Sequence, residues 1–173
     1  ATRRFARALA GVLDPPCLVT VEGELGTGKT TLVRDVLRAR GVRGAVTSPS
    51  FTLAQSYRGR GGVVLNHLDL YRLSPGTDVD LFAWEDYLGG DAITFVEWPQ
   101  AGSLALPTAD VRLVLRHRSL RSRDAEVHAA EPVEGRHAEA AAAPGVSVQR
   151  TVGGRADAVA GATPPGVEAG GLA

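Results

Sequence analysis

The feature that most constrains this chain is a glycine-rich segment between an apolar run and a helical pattern. The run Leu18–Val21 is rich in β-branched residues and predicts a strand. The segment Gly23–Thr30 has the sequence GELGTGKT, which fits the G-x-x-x-x-G-K-[ST] pattern at every fixed position. Apolar residues then recur at helical spacing across Thr30–Arg40, and Gly41 ends that helix. A strand, a glycine-rich loop and a helix in this order predict a site for a nucleoside triphosphate.

The rest of the chain predicts an α/β domain around this unit. Strand and helix patterns alternate without an internal repeat, and they occur in this order: a helix at Thr2–Leu13, strands at Phe51–Tyr57 and Val63–Leu70 that form a hairpin, a helix at Asp78–Leu88, a buried strand at Ala92–Val96, and strands at Val111–Leu115 and Asp124–Ala129. We expect a P-loop NTPase-type sheet that is mainly parallel, with an antiparallel hairpin, antiparallel edge strands, and helices on both faces.

Composition divides the chain in two. Residues 1–130 contain every aromatic residue and are expected to form one domain, whereas residues 131–173 are rich in Ala, Gly and Pro and are expected to be mobile. The formal net charge is zero, which argues against a strongly basic nucleic-acid surface. The single cysteine, the absence of a long apolar stretch and the arginines near the start indicate a cytoplasmic protein without a membrane segment.

Lysine occurs only once in the chain, at Lys29 of the glycine-rich segment. An ammonium group is a compact charge that suits the β- and γ-phosphates, and the following Thr30 offers a hydroxyl to magnesium. Guanine-specific proteins read the base with an Asn/Thr-Lys-x-Asp segment, which a single lysine at this position cannot supply. ATP is therefore the expected nucleotide, with magnesium as its ion.

Two acidic residues follow predicted strands. Asp69 ends the run Val63–Asp69, and Glu97 ends the run Ala92–Glu97. Ligands in open α/β sheets bind at the carboxyl ends of the strands, so each carboxylate can hold magnesium or orient an attacking water molecule. The hydroxyl-rich segment Thr47–Phe51 is either a switch that senses phosphate or an ordinary polar turn. His67 lies on the same strand face as Asp69 and is expected to be a packed histidine.

Four segments together resemble the TsaE family, the bacterial ATPases of tRNA threonylcarbamoyladenosine biosynthesis: Gly23–Thr31, Thr47–Leu53, His67–Arg72 and Glu97–Pro99. The resemblance covers about residues 1–128 and implies slow, magnesium-dependent ATP hydrolysis that supports turnover of a complex with TsaD- and TsaB-type partners. These partners, rather than this chain alone, are expected to meet the tRNA, and direct contact stays open through a patch of Arg38, Arg40, Arg43, Arg58 and Arg60. Ser50 stands where family members often have threonine, and residues beyond Glu131 match no part of the family pattern.

The resemblance also implies roles for individual residues. Lys29, Asp69, Glu97 and Thr47 would serve catalysis, with magnesium held by Thr30 and Glu97. Nucleotide contacts would come from the loop and its surroundings: Thr2, Glu24, Leu25, Gly26, Thr27, Gly28, Lys29, Thr30, Thr31 and Arg123. Two other functions remain open, a small P-loop phosphotransferase and a binding module that ATP gates without hydrolysis.

Overall fold

The computed structural model describes residues 2–49, 52–73, 84–102, 106–119, 122–130 and 146–151. Within these ranges the helices are α1 (Thr2–Val12), α2 (Lys29–Ala39) and α3 (Glu85–Leu88). The strands are β1 (Cys17–Gly23), β2 (Ala54–Arg58), β3 (Val64–Asp69), β4 (Ala92–Glu97), β5 (Val111–His117), β6 (Arg123–Ala130) and β7 (Val146–Thr151). Short 3-10 turns lie at Arg60–Gly62 and Pro99–Gly102.

The described strands form one sheet in the order β2-β3-β4-β1-β5-β6-β7. Strands β3, β4, β1 and β5 run parallel, while β2 and β6 pair antiparallel on either side of them. The parallel pairing aligns Val21 of β1 and Asp69 of β3 with Glu97 of β4. The carboxyl ends of three strands therefore meet at one edge of the sheet, where ligands bind in open α/β folds.

Different helices cover the two faces of the sheet. Helices α1 and α2 pack over the larger core cluster, which includes Val19 and Phe95. Leu18, Val96 and Trp84 belong to a second cluster next to α3. Leu18 and Val19 are neighbours on one strand, so their side chains point to opposite faces. Both the mainly parallel sheet and the helices on both faces are thus confirmed.

Two predicted elements differ from the structure. The strand predicted at Phe51–Tyr57 begins at Ala54, because the N–H groups of Thr52 and Leu53 donate to the carbonyl of Pro49 and form a turn. Most of the helix predicted at Asp78–Leu88 lies outside the described residues; its last turn is α3.

The C-terminal segment contains a strand that the sequence analysis did not predict. Val146–Thr151 pairs parallel with β6 in the register Ala125 to Val146. The expectation that most of residues 131–173 are mobile and the boundary at residue 130 both stay predictions. None of the described helices is long and apolar enough to cross a membrane.

Candidate functional site

The glycine-rich segment joins β1 to α2 and leaves the start of the helix uncapped by any side chain. Gly26 and Gly28 have φ angles of 78° and 93°, which glycine adopts without strain. A Cβ at either position would meet no atom within 4 Å, so the space beside the loop is open. The N–H groups in the first turn of a helix have no intrahelical acceptors, and the helix dipole adds positive potential there. The loop can therefore cradle an anion.

Lys29 is held against the loop by two backbone carbonyls. Its Nζ donates to the oxygen of Gly23 at 2.7 Å and to that of Glu24 at 2.9 Å. The same atom lies 3.8 Å from the ring centroid of Trp98, a cation–π distance. The side chain is 5% exposed. The ammonium group is thus positioned beside the phosphate loop, with carbonyl partners that a phosphate can replace.

The first residues after the loop connect to β4 and β3 through a chain of buried hydrogen bonds. The hydroxyl of Thr30 donates to Oε2 of Glu97 at 2.9 Å. The other carboxylate oxygen, Oε1, lies 2.7 Å from Nε2 of His67. Glu97 is 1% exposed and His67 is fully buried. Because a carboxylate can only accept, Nε2 carries the proton, and His67 fixes the orientation of Glu97.

Asp69 lies beside this pair, since its position on β3 is in register with Glu97 on β4. Its Oδ1 accepts the N–H of Tyr71 at 3.1 Å. Burial raises the pKa of Asp69, and the hydrogen bond from Tyr71 partly opposes that rise. Burial likewise lowers the pKa of Lys29, against the opposing attraction of Glu97 and Asp69. The two carboxylates and the ammonium group therefore form one coupled electrostatic site.

These groups surround a cleft of about 390 Å³, a size typical of ligand sites. Its lining combines loop residues with residues from the strand ends: Leu25, Gly26, Gly28, Lys29, Thr30, Thr31, Ser48, Asp69, Tyr71, Arg72, Glu97 and Trp98. A further cavity of about 620 Å³ includes Gly23, Glu24 and Trp98 in its lining. The structure therefore brings most of the predicted site residues together.

Five predicted site residues lie outside the lining of the smaller cleft, and one of them, Glu24, lines the larger cavity. Thr2 is exposed at the start of α1, and Thr27 is buried with its hydroxyl donating to the carbonyl of Glu24 at 2.8 Å. Thr47 is exposed, and its hydroxyl donates to Oε1 of Gln55 at 3.0 Å. Arg123 contacts the loop from β6, where its Nη2 donates to the carbonyl of Gly26 at 3.3 Å. The nucleotide roles of these residues stay predictions.

Three contacts were not found from the sequence. The bond between His67 and Glu97 joins neighbouring strands, and the same-face position of His67 and Asp69 was the available signal. The Trp98 ring over Lys29 follows from a positive φ of 58° at Trp98, which no sequence pattern indicated. His117 on β5 also donates from Nε2 to the carbonyl of Leu25 at 3.3 Å.

The fold is an α/β fold with a P-loop NTPase-type sheet, and the candidate site lies at the carboxyl edge of its parallel strands. A family model described as "Threonylcarbamoyl adenosine biosynthesis protein TsaE" matches residues 1–125. The chain belongs to this TsaE family, as predicted from its motifs.

Individual relatives agree with this assignment. The chain is 44% identical over 119 residues to the tRNA threonylcarbamoyladenosine biosynthesis protein TsaE of Streptomyces coelicolor, covering 66% of this chain and 76% of the relative. It is 36% identical over 113 residues to the protein of the same name from Haemophilus influenzae, covering 62% and 71%. The crystal structure of Bacillus subtilis YdiB is similar with a TM-score of 0.57 and 28% identity, covering 70% of this chain and 74% of YdiB.

Proposed function

We propose that this chain binds ATP with magnesium in the cleft and hydrolyses it slowly, as a component of the tRNA threonylcarbamoyladenosine biosynthesis machinery. One observation carries the proposal: directly after the phosphate loop, the hydroxyl of Thr30 donates to the buried carboxylate of Glu97 at 2.9 Å. A hydroxyl and a carboxylate at this position are oxygen ligands of the kind that magnesium takes together with phosphates.

The residues present fit both the nucleotide and the ion. Phosphates would lie against the uncapped start of α2 and the open side of Gly26 and Gly28, with Lys29 exchanging its carbonyl partners for phosphate oxygens. Thr30 and Glu97 would hold the magnesium. When bound, magnesium neutralises phosphate charge and favours the leaving of the γ-phosphoryl group.

Hydrolysis needs a group that orients water next to the γ-phosphate, and Asp69 suits this role best. It lies in the cleft in register with Glu97, at the carboxyl end of its strand. Within the part of the chain that the structure describes, its Oδ1 accepts the N–H of Tyr71, and Oδ2 would accept a hydrogen bond from the water molecule. Thr47 is proposed to assist by moving from its bond with Gln55 towards the nucleotide.

Family membership supports a place in the modification pathway, because the relatives are named as tRNA threonylcarbamoyladenosine biosynthesis proteins. We propose TsaD- and TsaB-type proteins as partners, a cytoplasmic location, and a role of ATP turnover in releasing or resetting the complex. In this proposal the chain reaches tRNA through those partners.

The central test measures ATP hydrolysis and ATP affinity of Lys29→Ala and Glu97→Ala against the native chain. We expect Lys29→Ala to lose turnover and Glu97→Ala to need more magnesium while both stay folded by circular dichroism. Thr52→Ala is the matched control, since Thr52 is exposed and lies outside the cleft. Native turnover and an unchanged magnesium titration in both site variants would refute the proposed site.

The two alternative functions, a phosphotransferase and an ATP-gated binding module, predict different results when the same protein variants are assayed. A phosphotransferase would transfer the γ-phosphate to an added acceptor faster than to water. A binding module gated by ATP would recruit the partner proteins equally well with ATP and with a non-hydrolysable analogue. Asp69→Asn would then leave both the recruitment and the release of the partners unchanged. Recovery of TsaD- and TsaB-type proteins with nucleotide present, together with release that depends on hydrolysis, supports the ATPase.

A further inference from the structure

A second charged feature lies away from the cleft and has no part in the proposed hydrolysis. Between Asp35 and Asp69 the chain has five arginines and no acidic residue, although its overall formal charge is zero. The five are Arg38, Arg40, Arg43, Arg58 and Arg60. This stretch therefore carries a net positive charge although the chain as a whole is neutral.

Four of these side chains line one groove, of about 530 Å³, which we call the arginine groove. It lies between the end of α2 and the turn that joins β2 to β3, and its lining consists of Arg38, Gly41, Val42, Arg43, Arg58, Gly59 and Arg60. The four arginines are exposed. Among the described residues none of the four has a salt bridge to an acidic group.

The arginine groove is preformed by contacts between backbone segments. The N–H of Arg60 donates to the carbonyl of Arg40 at 2.7 Å, which fastens the turn to the helix end. Gly59 allows this approach, because a Cβ there would lie 2.9 Å from that carbonyl oxygen and 2.9 Å from Leu65. The turn is closed by the N–H of Gly59 donating to Val63 at 2.9 Å. A ligand would meet arginines on a fixed backbone, with less ordering cost.

The positive surface extends beyond this groove. Arg38 also lines an adjacent cavity of about 250 Å³, together with Arg3 and Arg7 of α1 and with Asp35. Two adjoining concavities that share an arginine suit an extended polyanion better than a single small anion. The arginine groove lies at the C-terminal end of α2, whereas the phosphate loop precedes its N-terminal end. Eleven helical residues span about 16 Å, so both sites can be occupied together.

We propose that the arginine groove binds the phosphodiester backbone of a structured RNA. This inference goes beyond the proposed function by adding a direct RNA contact to the contact made through the partners, and its choice of RNA rests on that proposed pathway. Guanidinium groups match phosphate oxygens with paired donors. The lining has no aromatic side chain on which bases could stack and one apolar side chain, Val42. Protein interfaces need a larger apolar centre, and single strands need stacking, so a duplex backbone fits best.

The test measures binding of an unmodified tRNA transcript by fluorescence anisotropy, with the full chain and without nucleotide. Four phosphate contacts predict that affinity falls roughly 50- to 150-fold between about 50 and 200 mM salt. The double variant Arg58→Ala/Arg60→Ala should bind the transcript roughly 25- to 60-fold more weakly at about 0.1 M salt. The slope of log affinity against log salt concentration should also become shallower by about 1.4 to 1.8. The matched control is Arg116→Ala/Arg118→Ala, which removes two exposed arginines on and directly after β5, in the other half of the sheet, that pair with Glu126 and Asp124.

Both variants are first checked for native melting temperature, and ATP hydrolysis is measured without RNA. Loss of RNA binding in the groove variant alone, with hydrolysis retained, supports the inference even if the proposed partners prove wrong. Equal RNA binding by the two double variants would overturn it. Tighter binding of polyglutamate than of the transcript at equal charge concentration would also overturn it, because the groove would then be a site for an acidic protein.

Discussion

Replacing Thr30 by valine tests the proposed metal site with the smallest change in shape. Valine keeps the volume and branching of threonine but has no hydroxyl to donate to Glu97. A hydrogen bond to a charged group contributes about 1.5 to 3 kcal/mol, and we expect a loss near the lower figure because Thr30 is only half-buried. Glu97 keeps its bond to His67, so the chain should still fold.

The magnesium requirement of ATP hydrolysis is the decisive measurement. Loss of one oxygen ligand should raise the magnesium concentration for half-maximal rate by about 10- to 100-fold. Thr30→Ser is the control, since serine keeps the hydroxyl, and its titration should stay close to that of the native chain. Urea unfolding measures the stability loss separately. If Thr30→Val and Thr30→Ser have the same magnesium titration, Thr30 is not a metal ligand and the central geometric argument is wrong.

Three further outcomes follow from the buried groups of the site and the core. Asp69→Asn should raise the free energy of unfolding at neutral pH and lower hydrolysis by about 100-fold or more. The same variant should remove a pH dependence: because burial raises the pKa of Asp69 above 3.8, the native chain should lose stability as pH rises from about 3.8 through that raised pKa. Burial raises the pKa of Cys17 to about 12, so an aromatic disulfide reagent at pH 8 should label it only after unfolding.

Each of these predictions would be contradicted by a specific result. Lower stability of Asp69→Asn at pH 7 would mean that the carboxylate stabilises the fold. Unchanged hydrolysis in that variant would remove Asp69 from the reaction, and matching stability profiles of variant and native chain between pH 4 and 7 would contradict the raised pKa. Labelling of Cys17 at the same rate in native and unfolded protein would show that β1 opens readily.

The arrangement of Asp69 and Glu97 could be predicted because it depends on local rules. Each follows an apolar run, and parallel strands place their carboxyl ends at the same edge of a sheet. Lys29 and Thr30 were likewise fixed by the loop pattern and by the helix that begins there. These predictions need only strand order and the period of two along a strand.

Contacts that depend on exact register or on distant segments could not be predicted. Bonding of His67 to Glu97 requires that β3 and β4 be neighbours in one register, which a hydrophobic pattern does not specify. Arg123 reaches Gly26 across 97 residues of sequence through the order of β1, β5 and β6. Strand β7 was missed because its six residues lie within an Ala-, Gly- and Pro-rich stretch where composition favours disorder.

The partners of Lys29 bear on how tightly ATP can bind. Its Nζ donates to two carbonyls and contacts the Trp98 ring. When ATP binds, Lys29 must exchange its hydrogen bonds to the carbonyls, worth about 1.5 to 3 kcal/mol each, for bonds to phosphate oxygens. Lys29 therefore contributes to ATP affinity only the difference in free energy between the new bonds and the old ones. Negative charge on the phosphates redistributes in the transition state, where the ammonium group interacts more strongly.

Lys29→Ala should therefore reduce ATP affinity less than it reduces the hydrolysis rate. We expect a loss of about 10-fold in affinity, or about 1.4 kcal/mol, and a loss of about 100-fold or more in rate. Isothermal titration calorimetry with ATP measures the affinity of both proteins, because its signal does not depend on the contact between Lys29 and Trp98. Phosphate release measures the rate. A loss of affinity with an unchanged rate at saturating ATP would mean that Lys29 only holds the nucleotide, and the transition-state argument would then be wrong.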